Sequence, residues 1–186
     1  LWTELDYAAR HLEAKSGWRS GLLRELAEWI ALLHDTSKLS QGWQGWVRGY
    51  QAAIGQPVPQ GSYAHTDYDP ANPQHDSAAK KQGRRPPHAV ESAVSVAPLL
   101  VPFGEIPAKA AFTTIARHHG PFTEAFTLYQ LERQTPLLIG ALLEQYQHYQ
   151  APVQLIPTAD PQDRKLDPAR FWIDPQFDRE FVAYAL

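Results

Sequence analysis

Apolar residues recur at intervals of three and four positions along this chain, which is the period of an amphipathic α-helix. After a helix start at Ser20-Gly21, the pattern runs through Leu22, Leu23, Leu26, Trp29, Ile30 and Leu33. Residues 1–15 repeat it, and so does a shorter segment whose aromatic stripe we interpret as core packing, with Trp43, Trp46, Val47 and Tyr50. No stretch alternates as a β-strand does, and there is no internal repeat or glycine-rich phosphate loop. The chain is therefore predicted to be all-α.

Residues 55–87 interrupt this periodicity with a segment rich in Pro, Gly, Gln, Asn, Asp and His. We expect a long irregular insertion there, and such loops in compact domains are usually functional or mobile. Helices are predicted to follow it at residues 88–100, 107–119, 122–134 and 136–149, with a last helix from about residue 178. With 186 residues and 44% hydrophobic content, the expected organisation is a single domain over residues 1–186 around one core.

The composition excludes several classes of site and partner. Net charge is −3 with the eight histidines counted as neutral, so any nucleic-acid surface must be a local basic patch. No cysteine is present, which excludes disulfides and thiolate zinc sites and leaves His, Asp and Glu as metal ligands. The longest apolar run, residues 93–103, contains two prolines and is too short to cross a bilayer, and the N-terminus lacks a signal-peptide pattern. We expect a cytoplasmic protein without a membrane partner.

The two ends of the chain suggest that it is part of a longer polypeptide. No methionine occurs, and residues 181–186 resemble a helix that is cut short. We therefore expect a fragment of a longer polypeptide. The other explanation is that residues are missing from this sequence, in which case some of the spacings used here are too short.

Residues of metal-ligand type mark the ends of three predicted helices. His34-Asp35 follows the apolar run, His88 opens a later helix, and His118-His119 closes another. A charge at the buried end of a core helix is costly unless a metal or a partner takes it up. One such histidine alone is more often structural, but the ordered set favours a buried polynuclear metal site.

Lys38 adds a cation to this pattern. It lies four positions after His34, which is one helical turn if the helix continues. An ammonium there can point at an anion bound beside the same metal. A phosphate is the obvious candidate for that anion.

Three segments occur together in a fixed order: Ala-Leu-Leu-His34-Asp35-Thr-Ser-Lys38, a later lone His88, and Ile115-Ala-Arg-His118-His119-Gly120. This set resembles the HD metal-dependent phosphohydrolase superfamily. Within it, the pattern is most similar to the HD nuclease domain of the CRISPR-associated nuclease-helicase of type I systems. The adjacent His-His-Gly and the aromatic helix after the lysine favour the CRISPR branch over the nucleotide-hydrolysing and signalling branches. The resemblance runs from His11 to Gly120.

The resemblance implies an HD-domain helical bundle that binds two divalent transition metals and cuts single-stranded DNA. It also implies a helicase, fused or separate, that draws DNA from a crRNA-guided surveillance complex. The implied metal ligands are His11, His34, Asp35, His88, His118 and His119. Asp35 would be catalytic and bridge the two metals, with His34 on one of them, and Lys38 would be catalytic by contacting the scissile phosphate. Histidine ligands favour Mn, Fe, Co or Ni over Mg.

Three positions fit the family pattern less closely. His11 is the only candidate for an early histidine ligand, and a solvated helix-face histidine is the alternative there. Ser37 stands where the family usually has Gly, which leaves the following lysine in place. A late aspartate normally completes the metal shell, but Asp174 and Asp178 lie in Pro-rich and helix-start contexts that are typical of capping. The expected carboxylate is therefore unassigned, and the alternatives for it are residues beyond Leu186 or residues missing from this sequence.

The insertion carries a group of possible metal ligands, with the sequence His65-Thr-Asp67-Tyr-Asp69 and, further on, His75-Asp76. A second metal cluster is one interpretation. Turn formation by these aspartates beside two prolines explains the segment without metal, and we favour it.

A basic group closes the insertion just before His88, and it consists of Lys80, Lys81, Arg84 and Arg85. It would place positive charge beside the predicted site, where a DNA backbone must pass. A solvated run of charges is the equal alternative.

We therefore predict a metal-dependent single-stranded DNA nuclease, an endonuclease or exonuclease that hydrolyses phosphodiesters of foreign DNA in CRISPR interference. One alternative is an HD phosphohydrolase that acts on nucleotides or small phosphate esters in a closed pocket. The other is an inactive all-α interaction module with an incomplete metal shell, which the unassigned aspartate keeps open.

Overall fold

The computed structural model of the chain describes residues 2–58, 60–69, 71–83, 85–86, 88–119 and 144. In these residues the chain forms six α-helices and no strand, which confirms the all-α prediction. The helices are α1 (Trp2–Ser16), α2 (Leu22–Leu33), α3 (Gln41–Ala53), α4 (Pro73–Gln82), α5 (Ala89–Leu100) and α6 (Glu105–Arg117). Two short 3-10 helices, η1 (Thr36–Leu39) and η2 (Val101–Phe103), follow α2 and α5.

Helix α4 corrects the expectation that residues 55–87 lack regular structure. Asn72 caps it by accepting a hydrogen bond from the backbone N–H of Gln74 at 3.0 Å, and Pro73 occupies its first turn. Only Ala78 of this helix is buried, so its sequence carries no apolar stripe that could have predicted it. The helices predicted at 122–134, 136–149 and from residue 178 lie outside the described residues, apart from Glu144.

The core lies between α2, α5 and α6. Its largest fully buried apolar side chains include Leu26 and Leu33 of α2, Leu100 of α5, and Phe112 and Ile115 of α6. Between these large residues α5 and α6 present alanines to the core, and such short side chains let two helices pack closely. The tight contact between α5 and α6 fixes the relative position of the α5 N-terminus and the α6 C-terminus.

The start of α2 is held by a side chain from α1. The buried Glu13 carboxylate accepts hydrogen bonds from the backbone N–H groups of Gly21 at 2.9 Å and Leu23 at 2.8 Å. Gly21 has φ of 82°, a left-handed conformation that glycine adopts without steric cost. This contact supplies acceptors for two N–H groups at the helix start, which have no partner within the helix.

Side chains on one face of α3 hold the irregular part of the insertion. The Gln44 amide donates to the carbonyl of Tyr63 at 2.8 Å and accepts from its N–H at 3.0 Å. Two turns further on, Gln51 donates to the Asp67 carboxylate at 2.6 Å and accepts from the Asp67 N–H at 3.1 Å. The segment is therefore fastened at two points spaced along the helix.

None of the helices that the structure describes is both long enough and apolar enough to cross a membrane.

Candidate metal centre

Three helix ends converge on Asp35. His34 is the C-cap residue of α2, His88 the N-cap residue of α5 and His118 the C-cap residue of α6, as their positions in the sequence predicted. Helix α2 ends at Leu33 with His34 as its C-cap, and Asp35 is the N-cap residue of the 3-10 helix η1. One ligand atom each from Asp35, His88, His118 and His119 all lie within 4.8 Å of one another. This is a spacing at which one cation could contact all four.

The capping positions fix the orientation of two histidine rings. Nδ1 of His34 lies 2.8 Å from the carbonyl oxygen of Ala31, and Nδ1 of His118 lies 2.7 Å from that of Ile115. A carbonyl only accepts, so Nδ1 carries the hydrogen in both rings. When the ring is neutral, Nε2 then keeps its lone pair, and this is the nitrogen that faces Asp35. A backbone partner on the second nitrogen is typical of metal-binding histidines.

The two carboxylate oxygens of Asp35 face different groups. Oδ1 lies 3.2 Å from Nε2 of His88 and 3.5 Å from Nε2 of His118. Oδ2 lies 3.2 Å from Nε2 of His34 and 2.7 Å from Nζ of Lys38. The carboxylate thus separates a side with several histidines from a side with one histidine and a lysine.

Two buried atoms at the centre fit a bound cation. Oδ1 of Asp35 and Nε2 of His118 are buried and have no hydrogen-bond partner among the described residues. Leaving such atoms unpaired costs about 1–3 kcal/mol each. Nε2 of His88 and Nε2 of His119 lie 2.7 Å apart, so one of them carries a hydrogen in this arrangement. An anionic oxygen among several imidazole nitrogens is a donor set that suits a divalent transition metal.

The electrostatics of the centre favour the protonation states that a metal requires. Burial raises the pKa of Asp35, but the Lys38 hydrogen bond and the charges of His34, Lys38 and His88 together lower it below its usual value. Burial, with the nearby Lys38 charge, lowers the pKa of His88 to about 3. Burial and the neighbouring His118 also lower the pKa of His119. At neutral pH the aspartate is therefore ionised, and His88 and His119 are neutral.

Lys38 is held in a buried site beside this centre. Its ammonium lies 5.7 Å from the ring centroid of Trp43, and its backbone carbonyl accepts from the Gln44 amide at 2.7 Å. The Trp43 ring also lies edge-on to His88, with 6.4 Å between ring centroids. Trp43 is buried, as predicted for a core residue, but it is also a wall of the site.

A family model described as "Cas3, HD domain" matches residues 1–173 of the chain. The chain belongs to the Cas3 HD domain family. The resemblance that the histidine and aspartate pattern indicated is thereby confirmed. Membership of this family supports a metal-dependent nuclease role in CRISPR systems. No curated protein and no solved structure matched the chain.

His11 of this Cas3 HD domain lies apart from the four clustered residues that could hold a metal. It is exposed on α1, where its ring stacks on Tyr7 with 6.3 Å between centroids. The described part of the chain places no metal-ligand group around it. The geometry therefore favours the alternative of a solvated helix-face histidine, and a ligand role for His11 stays a prediction without a structural contact in its support.

The basic group is divided among several environments. Lys80 forms an ion pair with Asp76 at 2.7 Å, and Lys81 is exposed in the last turn of α4. Arg85 is also exposed, and its charge contributes to lowering the pKa of His119. Arg84 lies outside the described residues. Among the described members of this group, Arg85 is thus the one whose charge acts on the candidate centre.

Two of the possible ligands in the insertion, Asp69 and His75, hold backbone turns. The Asp69 carboxylate accepts from the N–H of Ala71 at 2.9 Å, and Nδ1 of His75 accepts from the N–H of Asp69 at 3.0 Å. These two residues are not part of a ligand group among the residues that the structure describes. Asp174 and Asp178, the candidates for a late aspartate, lie outside the described residues.

Several residues that shape the site of this Cas3 HD domain were not predicted from the sequence. Ser92, Gln44 and Trp43 contact residues that carry or support the ligands. The sequence offers only their spacing from candidate site residues as an indication of this role. Ser92 lies one helical turn after His88, and Trp43 and Gln44 follow Lys38 by one or two turns. Spacing alone does not separate such residues from ordinary core positions.

Proposed function

We propose that this Cas3 HD domain hydrolyses phosphodiester bonds of single-stranded DNA with the help of bound divalent transition metals. The observation that carries the proposal is the convergence of Asp35, His88, His118 and His119 within 4.8 Å at three helix ends. The family supplies the coarser activity, and the histidine-rich donor set supports Mn, Fe, Co or Ni over Mg.

The two faces of the Asp35 carboxylate support a site for two ions. His88, His118 and His119 would hold one ion with Oδ1 of Asp35, and His34 would hold the other with Oδ2. Ions held there would supply Lewis-acid chemistry, which would polarise the phosphodiester, lower the pKa of a water molecule and stabilise the leaving oxygen.

The chain's own residues would then position the substrate. Lys38 is buried against Trp43, which limits the directions in which its ammonium can point. With cations held by Asp35, the Lys38 ammonium would be available to a phosphate oxygen on the same side of the carboxylate. The hydrogen bonds of His34 and His118 to backbone carbonyls keep both rings oriented during this exchange.

Positive charge next to the centre supports a polynucleotide substrate over a mononucleotide. Arg85 acts electrostatically on His119, and Lys81 is exposed in the last turn of α4, four residues before Arg85. We propose that these two residues contact the DNA backbone together with Arg84, while Lys80 contributes less because Asp76 pairs with it.

We also propose that the domain works with a helicase, fused or separate, and with a crRNA-guided surveillance complex, as its family suggests. These partners and a cytoplasmic location remain predictions.

Cleavage of circular single-stranded DNA tests the proposal. The unaltered chain should cut circles with Mn²⁺, Co²⁺, Ni²⁺ or Fe²⁺, and a chelator should stop the reaction. Asp35→Asn should lower the rate by at least about a hundredfold, since even indirect disturbance of metal ligands costs 10–100-fold. The matched control is Asp6→Asn, which removes a carboxylate from an exposed ion pair with Arg10 on α1 and should leave the rate unchanged.

Two results would contradict the proposal. Cleavage that survives both the chelator and Asp35→Asn would exclude the metal centre as its source. Hydrolysis of mononucleotides with no cleavage of either circular or linear single strands would identify a nucleotide phosphohydrolase instead.

A further inference from the structure

A pair of buried serines joins the two segments that carry Asp35 and His88. The backbone N–H of Ser37 donates to Oγ of Ser92 at 3.0 Å, and Oγ of Ser37 donates to the carbonyl of His88 at 2.7 Å. The two hydroxyl oxygens lie 3.2 Å apart, with Ser92 donating to Ser37. Ser37 is 1% exposed and Ser92 is fully buried.

The hydrogens of this pair have one consistent arrangement. Oγ of Ser37 donates to the His88 carbonyl, so it can accept the hydrogen that Ser92 supplies. Oγ of Ser92 in turn accepts the backbone N–H of Ser37. Each hydroxyl therefore donates once and accepts once, and such a closed set of buried hydrogen bonds holds its members in one geometry.

The pair connects η1 to the first turn of α5. Ser37 lies two residues after Asp35 and directly before Lys38, within a single short turn. The His88 carbonyl receives both the Ser37 hydroxyl and the backbone N–H of Ser92, the latter at 2.9 Å. Any shift of η1 along α5 would break these bonds and would change the 3.2 Å distance between Oδ1 of Asp35 and Nε2 of His88.

We infer that Ser37 and Ser92 are positioning residues that set the distance between the Asp35 carboxylate and the His88 imidazole, and thereby the affinity of the centre for a divalent transition metal. This inference rests on the proposed metal centre. Neither serine belongs to the group of possible metal ligands. Both would act on a bound ion only through the backbone of η1 and the cap of α5.

Titration with Co²⁺ tests the inference, because both its dissociation constant and the visible absorption of the bound ion report ligand geometry. The 186-residue chain would be compared with Ser37→Ala, Ser37→Gly, Ser92→Ala and the double variant Ser37→Ala with Ser92→Ala. The matched control is Ser95→Ala, since Ser95 is also a buried serine of α5 but donates to the carbonyl of Ser92 within its own helix, at 2.9 Å. The thermal midpoint of each metal-free variant is measured alongside.

Each single change at Ser37 or Ser92 should raise the Co²⁺ dissociation constant by about tenfold or more and change the absorption spectrum, as loss of groups that orient metal ligands does. The double variant should be little worse than either single variant, since the pair acts as one unit. Ser95→Ala should bind Co²⁺ as the unaltered chain does, even if its thermal midpoint falls.

The result that overturns the inference is Co²⁺ affinity and absorption unchanged in Ser37→Gly and Ser37→Ala, whatever their thermal midpoints. If Asp35→Ala abolishes Co²⁺ binding in the same series, the metal centre stands and only the role of the serines is wrong. If Ser92→Ala does not fold, the two Ser37 variants still decide the matter. If the unaltered chain binds no Co²⁺, the proposed centre and the inference are both wrong.

Discussion

Single hydrogen bonds decide which histidine nitrogens face the centre. Rotation of the His34 or His118 ring would give up its bond to a carbonyl one turn earlier, and only the observed orientation turns Nε2 toward Asp35. A histidine at the C-cap of a helix has such a carbonyl within reach because the last turn leaves its acceptors unpaired. The position of these histidines at helix ends therefore orients the nitrogens that would bind a metal.

Glu91 gives a pH-dependent prediction at the residue scale. Burial raises its pKa to about 7, partly offset by a backbone hydrogen bond. Between pH 4.5 and about 7 the folded chain holds a proton that the unfolded chain has released, so this carboxyl makes folding less favourable as pH rises. Glu91→Gln should therefore stabilise the chain relative to the parent above pH 7, by ~3 kcal/mol at most, and the gain should shrink toward pH 4.5.

Urea unfolding of the metal-free chain at several pH values between 4.5 and 8 measures this difference. Glu105→Gln, at an exposed position on α6, serves as the control and should change the free energy of unfolding little. A difference between Glu91→Gln and the parent that stays constant over this pH range would contradict the assignment.

The sequence predicted the histidines and the aspartate of the centre but not the residues that support them. Ligand types are few in a chain, and helix ends can be recognised from the apolar period, so their coincidence is informative. Ser37 and Ser92 are 55 positions apart, and no local pattern links them. A contact of that kind exists only once η1 packs against α5.

Among the helices, those with an apolar stripe were predicted well and the polar one was not. The observed bounds of α2 and α5 agree to within one residue with the bounds predicted from apolar periodicity. This is because the residues that repeat with the helical period in these helices are the ones buried in the core. Helix α4 buries little, and contacts with α3 help to hold it, including a hydrogen bond from the Trp46 indole to the Gly83 carbonyl at 2.9 Å. Its stability comes from capping and tertiary contact, which periodicity does not report.

The hydrogen bonds between Gln51 of α3 and Asp67 of the insertion give a prediction at the scale of elements. Gln51→Ala removes both hydrogen bonds to Asp67, so backbone amides near Asp67 should exchange with deuterium faster, while those of α3 should not change. Exchange followed by mass spectrometry on peptides from residues 60–69 measures the effect. Gln41→Ala, at an exposed position in the first turn of the same helix, is the control. Equal exchange in both variants would show that Gln51 does not fasten the segment.

For the molecule as a whole, the net charge of −3 makes DNA binding depend on local positive charge. Arg85→Ala should weaken binding to single-stranded DNA. It should also reduce, by about one, the slope of the logarithm of the affinity against the logarithm of the salt concentration, because one phosphate contact is lost. Lys80→Ala should have a smaller effect, since Asp76 already neutralises that ammonium. Fluorescence anisotropy at several salt concentrations measures both. Equal losses from the two variants would mean that the group acts only as a diffuse charge.

The direct test of the metal centre is the number of ions bound per chain, measured by plasma mass spectrometry after dialysis against Mn²⁺ or Co²⁺ and removal of free metal. We expect about two ions for the unaltered chain, about one for His34→Ala and none for Asp35→Ala, because Asp35 is, among the described residues, the one that faces both positions. A folded chain that retains no ion, or an Asp35→Ala variant that retains as many ions as the parent, would contradict this expectation.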